Sequence, residues 1–425
     1  GGGGGGGGGV TIVGSIFLII NNLPQIIPPL ASFFEQTILK FSPLYSVATT
    51  MSIGSIALFY CLATAYYLTD IYRKEEKLQL SSFVGAILGL FAFLMTIIQV
   101  DISDSGAQLL QTTGETAIIY NGVALGSWVT RFSGVGIFIG ILTAVLATQV
   151  YRFCVKKKIT IQMPAGVPDG VSKAFASLIP AIIIAFLMIL INGCLAVFHT
   201  DLHGLLSKPF EFVKDLTGSW LGIIVIMLLI HLLWAVGVHG TAVIKNSFIN
   251  PILLVALTEN IDGATNIFAG DFVNMYIFIG GAGSTLGLVL LMLFRAKSQQ
   301  LKVLGKAAIL PGLFNINEPV IFGAPIVYNP YLIIPFIVTP LINVTIAYFA
   351  TSFGFVAKVI TGIPWISPVG IGAFLGTGGD FRGILIAILN LLISVVCYYP
   401  FFRMYDSKLF AEQQANEAEA TLHDQ

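Results

Sequence analysis

The chain has 425 residues, 56% of them hydrophobic and 10% charged, and its 21 basic and 21 acidic residues leave a formal net charge of zero. The basic residues lie in short clusters between apolar runs rather than in a patch, which argues against a nucleic-acid partner. Several of those runs reach the roughly 20 residues that a helix needs to cross about 30 Å of hydrocarbon, so the sequence reads as an all-α polytopic membrane protein in a lipid bilayer.

In chain order, the run Gly1–Gly9 lacks the charged start, apolar core and cleavage site of a signal peptide. It is set aside as an artefact or placeholder that leaves the first membrane helix clipped. Ten crossings follow: 10–30, 43–72, 82–100, 125–151, 174–198, 218–239, 243–260, 273–295, 330–352 and 381–404. The segment 243–260 carries Lys245, Asn246, Asn250 and Pro251, so it is either a broken helix or a partial, membrane-surface segment. Charge favours a full crossing. Arg73, Lys74 and Lys77, then Arg152 and Lys156–Lys158, then Arg295, Lys297, Lys302 and Lys306, then Arg403 share the cytoplasmic side only if it crosses. Both termini are then cytoplasmic, and the acidic stretch Asp101–Glu115 is external.

Two apolar segments rich in glycine and proline remain, 307–329 and 353–376. They are expected to be re-entrant hairpins with a substrate site between them, because irregular backbone at membrane depth needs protein or water to satisfy it. Ile159–Lys173 (ITIQMPAGVPDGVSK) is an amphipathic linker. It divides the chain into a scaffold and dimerisation part, 10–158, and the remaining helices with the transport domain, 174–406. Residues 407–425 form a polar cytoplasmic tail, expected to be a frayed helix.

Chemistry gathers after residue 230. In NINEPVIFGAPIVYNP, residues 315–330, Glu318 is a carboxylate in an apolar setting next to Asn317, and Pro319, Pro325 and Pro330 break the helix and free backbone groups. In WAVGVHGTAVIKNSFINP, Gly237 and Gly240 open space beside His239, with Trp234, Asn246 and Asn250 near it. A lone histidine in an apolar helix is more often a hydrogen-bonded core residue, but this context favours function. His199, His203 and His231 have no comparable setting, and His199 and His203 are placed in an external loop. Trp234 and Trp365 offer flat apolar faces that stack on a pyranose, although tryptophan also marks membrane interfaces. Asn274 is a further polar candidate. Gly280, Gly281, Gly283 and Gly287 in IGGAGSTLG are spaced for close helix packing rather than for a phosphate loop. In GTGGDFRG, Asp380 and Arg382 form either a turn for an anionic group or a local salt bridge. Cys61, Cys154, Cys194 and Cys397 show no metal spacing and are expected to be packing residues. No metal and no cofactor is implied.

The segments NINEPVIFGAPIVYNP, GVHGTAVIKNSFINP, MPAGVPDGVSKAFASLIP and GAFLGTGGDFRG resemble the membrane component, Enzyme IIC, of a bacterial sugar phosphotransferase system, in its lactose, cellobiose and diacetylchitobiose branch. The resemblance spans nearly the whole chain. It implies a homodimer in the bacterial cytoplasmic membrane, with ten helices and two re-entrant hairpins per chain. It also implies import of a disaccharide, diacetylchitobiose or cellobiose-like, phosphorylated from a phosphocysteine on a cytoplasmic IIB partner. None of the four cysteines here carries the phosphoryl group, and the chain is an enzyme only jointly with IIB. Glu318 then holds or deprotonates the C6 hydroxyl and His239 orients it, while Asn317, Trp234, Trp365, Asn246 and Asn274 bind the sugar. Residue types alone leave open an H⁺- or Na⁺-coupled secondary transporter with Glu318 and His239 as proton carriers. A non-transporting assembly protein does not explain the two broken segments with polar centres.

Overall fold

Small residues set the packing of the first half of the chain. The helices Ile56–Glu75, Ser82–Leu94 and Gly136–Lys156 pack against one another. Gly89 faces Ala65 and Ala144, and a Cβ there would lie 2.6 Å from the Ala65 methyl; Gly85 faces Thr69 and Gly140 faces the Ala57 carbonyl and Cys61 in the same way. Close backbone approach of this kind replaces the hydrophobic effect as the driving force between helices in lipid. At one end of the trio Glu76 pairs with Arg152 and Lys156, Asp70 pairs with Arg73 and Lys74, and the Arg152 guanidinium lies 4.3 Å from the centre of the Tyr72 ring. The first two basic clusters therefore meet at one end.

The computed structural model describes the chain apart from residues 1–9, 11, 12, 15, 22, 98, 99, 104, 105, 110–130, 133–135, 165, 424 and 425. The glycine run and the start of the expected crossing 125–151 lie outside the described residues. Two compact units emerge, one built mainly from Pro43–Val213 and the other from Ser15–Ser42 with Lys214–Gln425. The division falls within the helix Leu202–Gly218, and Ile159–Lys173 lies inside the first unit.

Among the described residues, five helices are long and apolar enough to cross a membrane: Ile38–Glu75, Gly136–Lys156, Gly170–Val197, Ile333–Ser352 and Phe381–Ala418. A sixth is counted if Leu202–Gly218 and Trp220–Ala235 are taken together. They coincide with the expected crossings 43–72, 125–151, 174–198, 330–352, 381–404 and 218–239. The other expected crossings differ. Helix 82–100 ends at Leu94 and gives way to an antiparallel hairpin, Val100–Ser103 with Gly106–Leu109. The segment 243–260 is a π-helix, Thr241–Ile249, running into the α-helix Asn250–Ile261. His203 is buried on the helix Leu202–Gly218, bonded to Thr96, rather than in a loop. Cys61 and Cys154 are packed in the core, but Cys194 is exposed on a helix whose neighbours Phe186 and Leu190 are exposed as well.

The main departure is at 273–295, which is not one helix. A π-turn, Val273–Ile277, leads into an irregular loop, and helix resumes at Leu286–Arg295. Gly280, Gly281 and Gly283 have φ of 81°, 98° and 80°, and Ser284 has 55°. These left-handed values end a helix, so the glycines serve backbone conformation rather than helix packing. Gly287 alone acts as expected, packed against Ser394 and the Val395 backbone.

After Leu286–Arg295 the chain turns into the helix Gln299–Leu313, whose free N-terminal amides are satisfied from the C-terminal helix. Asp406 accepts from the Lys297 and Ser298 amides at 2.8 and 2.9 Å, and Gln413 accepts from the Gln299 amide at 3.0 Å. This capping explains why the final helix runs on as Phe381–His423 through the expected tail. The segment 307–329 accordingly begins inside Gln299–Leu313, and its irregular part holds the short helix Glu318–Gly323. Residues 353–376 are mostly irregular and end in Ile371–Gly376.

Gly283→Ala should be severely destabilising, because its Cβ would lie 2.1 Å from the Phe336 ring at a φ of 80°. Left-handed strain and overpacking together predict a loss of about 2–5 kcal/mol. Gly354→Ala, at a φ of 74° with open space around it, should lose only about 1–2 kcal/mol. Thermal unfolding of both variants in detergent checks the order.

Candidate functional site

Every candidate site residue belongs to the second unit, and the glycine loop at 278–285 is the feature they are built around. Its backbone is buried and irregular, so each polar group must find a side chain. The Gly280 amide donates to Asn315 Oδ1 at 2.9 Å and the Gly283 amide to His231 Nε2 at 2.9 Å. The carbonyls of Ala282, Gly283 and Gly280 accept from Asn317 Nδ2 at 2.6 Å, Tyr398 Oη at 2.7 Å and Thr285 Oγ1 at 2.8 Å. Ser394 donates to the Ser284 carbonyl, and Asn343 Nδ2 donates to Ser284 Oγ at 3.0 Å.

His231 is fully buried between the edges of Phe278 and Phe336. Its Nε2 accepts a backbone N–H, so its proton sits on Nδ1 and is donated to the Met227 carbonyl at 2.6 Å. It is a neutral structural ring. Sequence reasoning missed it because an isolated histidine in an apolar helix carries no local sign of the loop it meets 52 residues later.

Asn315 is the second residue that sequence reasoning passed over. It adopts φ 62°, a left-handed conformation that asparagine tolerates. While its Oδ1 holds Gly280, its Nδ2 lies 3.4 Å from the Asn274 carbonyl and 3.3 Å from the carbonyls of both Trp365 and Ser367. One side chain thus ties the NINEP segment to the glycine loop and to the second broken segment. The signal was its place in the motif, three residues before Glu318.

Asn317 is buried, and its amide nitrogen serves Ala282 and, at 3.1 Å, Thr285 Oγ1. Its carbonyl accepts from the Val320 and Ile321 amides, which starts the helix Glu318–Gly323 with Pro319 in the first turn. Glu318 follows directly. It is exposed and makes no ion pair or hydrogen bond among the described residues. The scaffold thus holds the backbone at Glu318 and leaves its carboxylate open.

The helix Trp220–Ala235 ends in a turn at Gly237, φ 84°. Gly240 presses on the preceding helix end so closely that a Cβ would lie 1.9 Å from the Ile230 carbonyl. This corner brings His239 onto Trp234, with ring centres 4.1 Å apart at 45°. Trp234 is buried and donates to Thr241 Oγ1 at 3.1 Å. His239 is exposed, and its Nδ1 accepts from the Ala242 amide at 3.1 Å. The neutral ring therefore carries its proton on Nε2, which is then a donor.

The two motifs meet through Tyr328. Its amide reaches the Ala235 carbonyl at 3.4 Å and its hydroxyl donates to the Val236 carbonyl at 3.0 Å. The Glu318 segment is thereby tied to the Trp234–His239 corner. The remaining candidates lie in different settings. The Trp365 ring is 55% exposed, so it is open to a stacking partner. Asn274 donates to Asp271 Oδ1 at 3.0 Å. Asn246 is exposed and accepts from Asn250 at 3.3 Å. At GTGGDFRG, Asp380 takes both Nε and Nη2 of Arg382 at 2.9 and 3.0 Å and caps the Ala357 amide at 2.8 Å. That is the local salt bridge, not an open anion site.

Residues 9–340 match the family model "Phosphotransferase system, EIIC". The chain is 37% identical to the PTS system cellobiose-specific EIIC component of Geobacillus stearothermophilus, over 95% of this chain and 88% of the relative. It is 33% identical to the oligo-beta-mannoside-specific EIIC component of Bacillus subtilis, over 98% and 91%. Its fold is similar to the crystal structure of the transporter ChbC, the IIC component from the N,N'-diacetylchitobiose-specific phosphotransferase system. The TM-score is 0.84 at 31% identity, covering 96% of this chain and 93% of that one.

His231→Phe keeps an aromatic ring, slightly enlarged, and strands the Gly283 amide without an acceptor. The expected loss is about 1–3 kcal/mol of stability, with faster hydrogen exchange confined to residues 278–285, read by exchange mass spectrometry.

Proposed function

The chain belongs to the phosphotransferase system EIIC family, and from that premise we propose that it imports a β-linked disaccharide of the cellobiose or diacetylchitobiose kind. It presents the C6 hydroxyl of that sugar to a phosphocysteine on a cytoplasmic IIB partner. The observation that carries this reading is the junction at Tyr328, which ties the segment bearing Glu318 to the corner bearing Trp234 and His239. A carboxylate acceptor and an imidazole donor, both on exposed residues, then belong to one scaffold. The likeness to the cellobiose-specific and diacetylchitobiose-specific components supports the substrate class.

In this mechanism the sugar hydroxyl lies between Glu318 and His239. Nε2–H of His239 donates to the hydroxyl oxygen and aims its lone pair at phosphorus. Glu318 accepts the hydroxyl hydrogen and takes the proton as the O–P bond forms. The P–S bond breaks and the cysteine thiolate leaves with the electron pair. Because such transition states are loose, alignment contributes more than base strength. Asn317 acts mainly by holding Glu318 in place, Trp365 stacks on the sugar, Trp234, buried beneath His239, backs that ring rather than meeting the sugar, and Asn246 and Asn274 lie around them as polar contacts.

The same proposal takes the protein as a homodimer in the bacterial cytoplasmic membrane. It has ten crossings, two re-entrant hairpins and both termini in the cytoplasm. The part before Ile159–Lys173 serves as scaffold and dimer contact. Alternating access then moves the transport domain against the scaffold.

Purified protein in liposomes, given labelled cellobiose or diacetylchitobiose outside and phosphorylated IIB on the cytoplasmic face, should accumulate sugar 6-phosphate. Glu318→Gln should still bind sugar and lose transfer by about 10²-fold or more. Accumulation of unmodified sugar, driven by a proton or sodium gradient without IIB, would overturn the reading in favour of a secondary transporter.

A further inference from the structure

The segment 363–367, Ile-Pro-Trp-Ile-Ser, has no helix or strand to hold it, yet it carries the exposed rings and chains of Trp365 and Ile366. Backbone without secondary structure takes its position from whatever satisfies its polar groups. Here two side chains do so. Asp271 Oδ2 accepts from the Ile363 amide at 3.4 Å, and Asn315 Nδ2 lies 3.3 Å from the carbonyls of Trp365 and Ser367. The two are themselves joined: Asn274 donates to Asp271 Oδ1 at 3.0 Å, and its carbonyl lies 3.4 Å from Asn315 Nδ2. Asn315 is in turn anchored on the Gly280 amide. The segment is therefore strapped on both sides of Trp365.

We propose that Asp271 and Asn315 are positioning residues that fix Trp365 for stacking on the sugar. This rests on the sugar-permease reading for the role of Trp365, but the strap itself does not. Neither side chain takes part in the bond exchange; both act on sugar affinity through Trp365.

Two measurements test it. The first places a cysteine at Ile366 in a chain whose four native cysteines are replaced, and follows maleimide labelling in detergent. Asn315→Asp keeps the acceptor for Gly280 and the left-handed backbone but removes the donor; Asp271→Asn removes the charge. Each should speed labelling several-fold. Unchanged labelling in both single variants overturns the strap.

The second measures binding of labelled cellobiose to the purified protein without IIB. Asn315→Asp should weaken binding about tenfold, or 1.4 kcal/mol, but less than twofold further once Trp365→Ala is present. Equal losses in both backgrounds would mean a general structural role and overturn the proposal. If the parent protein binds neither cellobiose nor diacetylchitobiose, the sugar-permease reading falls instead, and the labelling still decides the strap.

Discussion

Irregular backbone can lie inside an apolar protein only if each N–H and C=O finds a partner. In this chain that requirement concentrates at residues 278–285. His231, Asn315, Asn317, Asn343, Ser394 and Tyr398, drawn from distant parts of the sequence, converge to meet it. Much of the second unit follows from that convergence. The helices Trp220–Ala235, Ile333–Ser352 and Phe381–His423 contribute His231, Asn343, and both Ser394 and Tyr398 to the loop. Removing one partner would strand a buried dipole at a cost of the order of 1–3 kcal/mol, so the helices are held in register by chemistry as well as by packing.

The same loop supports the site. Asn315 and Asn317 bind it with their side chains and are separated from Glu318 by at most two residues, so the backbone at Glu318 is held by the loop. Around it the side chains fall into two groups. His231, Asn315 and Asn317 have their donors and acceptors turned inward. Glu318, His239 and Trp365 are exposed. A rigid inner layer carrying a few open polar groups is what alignment of a hydroxyl for in-line transfer calls for, since a displacement of about 1 Å is costly to rate.

Legibility differed from residue to residue for physical reasons. Glu318 stood out because a carboxylate in an apolar run is expensive wherever it lies. Gly237 and Gly240 were read as opening space beside His239, and they make the corner that packs its ring on Trp234. The glycines at 280–283 were misread because spacing alone does not separate a helix-packing stripe from a loop of positive φ. Cys194 was taken as packed, but its helix presents that face outward. Asp380 and Arg382, two apart, were left between a ligand site and a salt bridge, and the bidentate geometry of the pair decided for the latter.

The sequence by itself determined the class of the molecule, most of its long helices, the polar second half and the two motifs around His239 and Glu318. Those features are local: hydropathy over about 20 residues, helix breakers, and rare charges in apolar runs carry their own energetic signature. Only the tertiary structure decided that 273–295 is broken, that His231 serves the fold, and that Asn315 and Asp271 hold Trp365. Those assignments depend on hydrogen bonds between residues dozens of positions apart, such as Asn315 to Trp365 and Asp271 to Ile363. No local pattern encodes such a partner, because a polar side chain in an apolar run looks the same whether it faces a ligand or a distant backbone group.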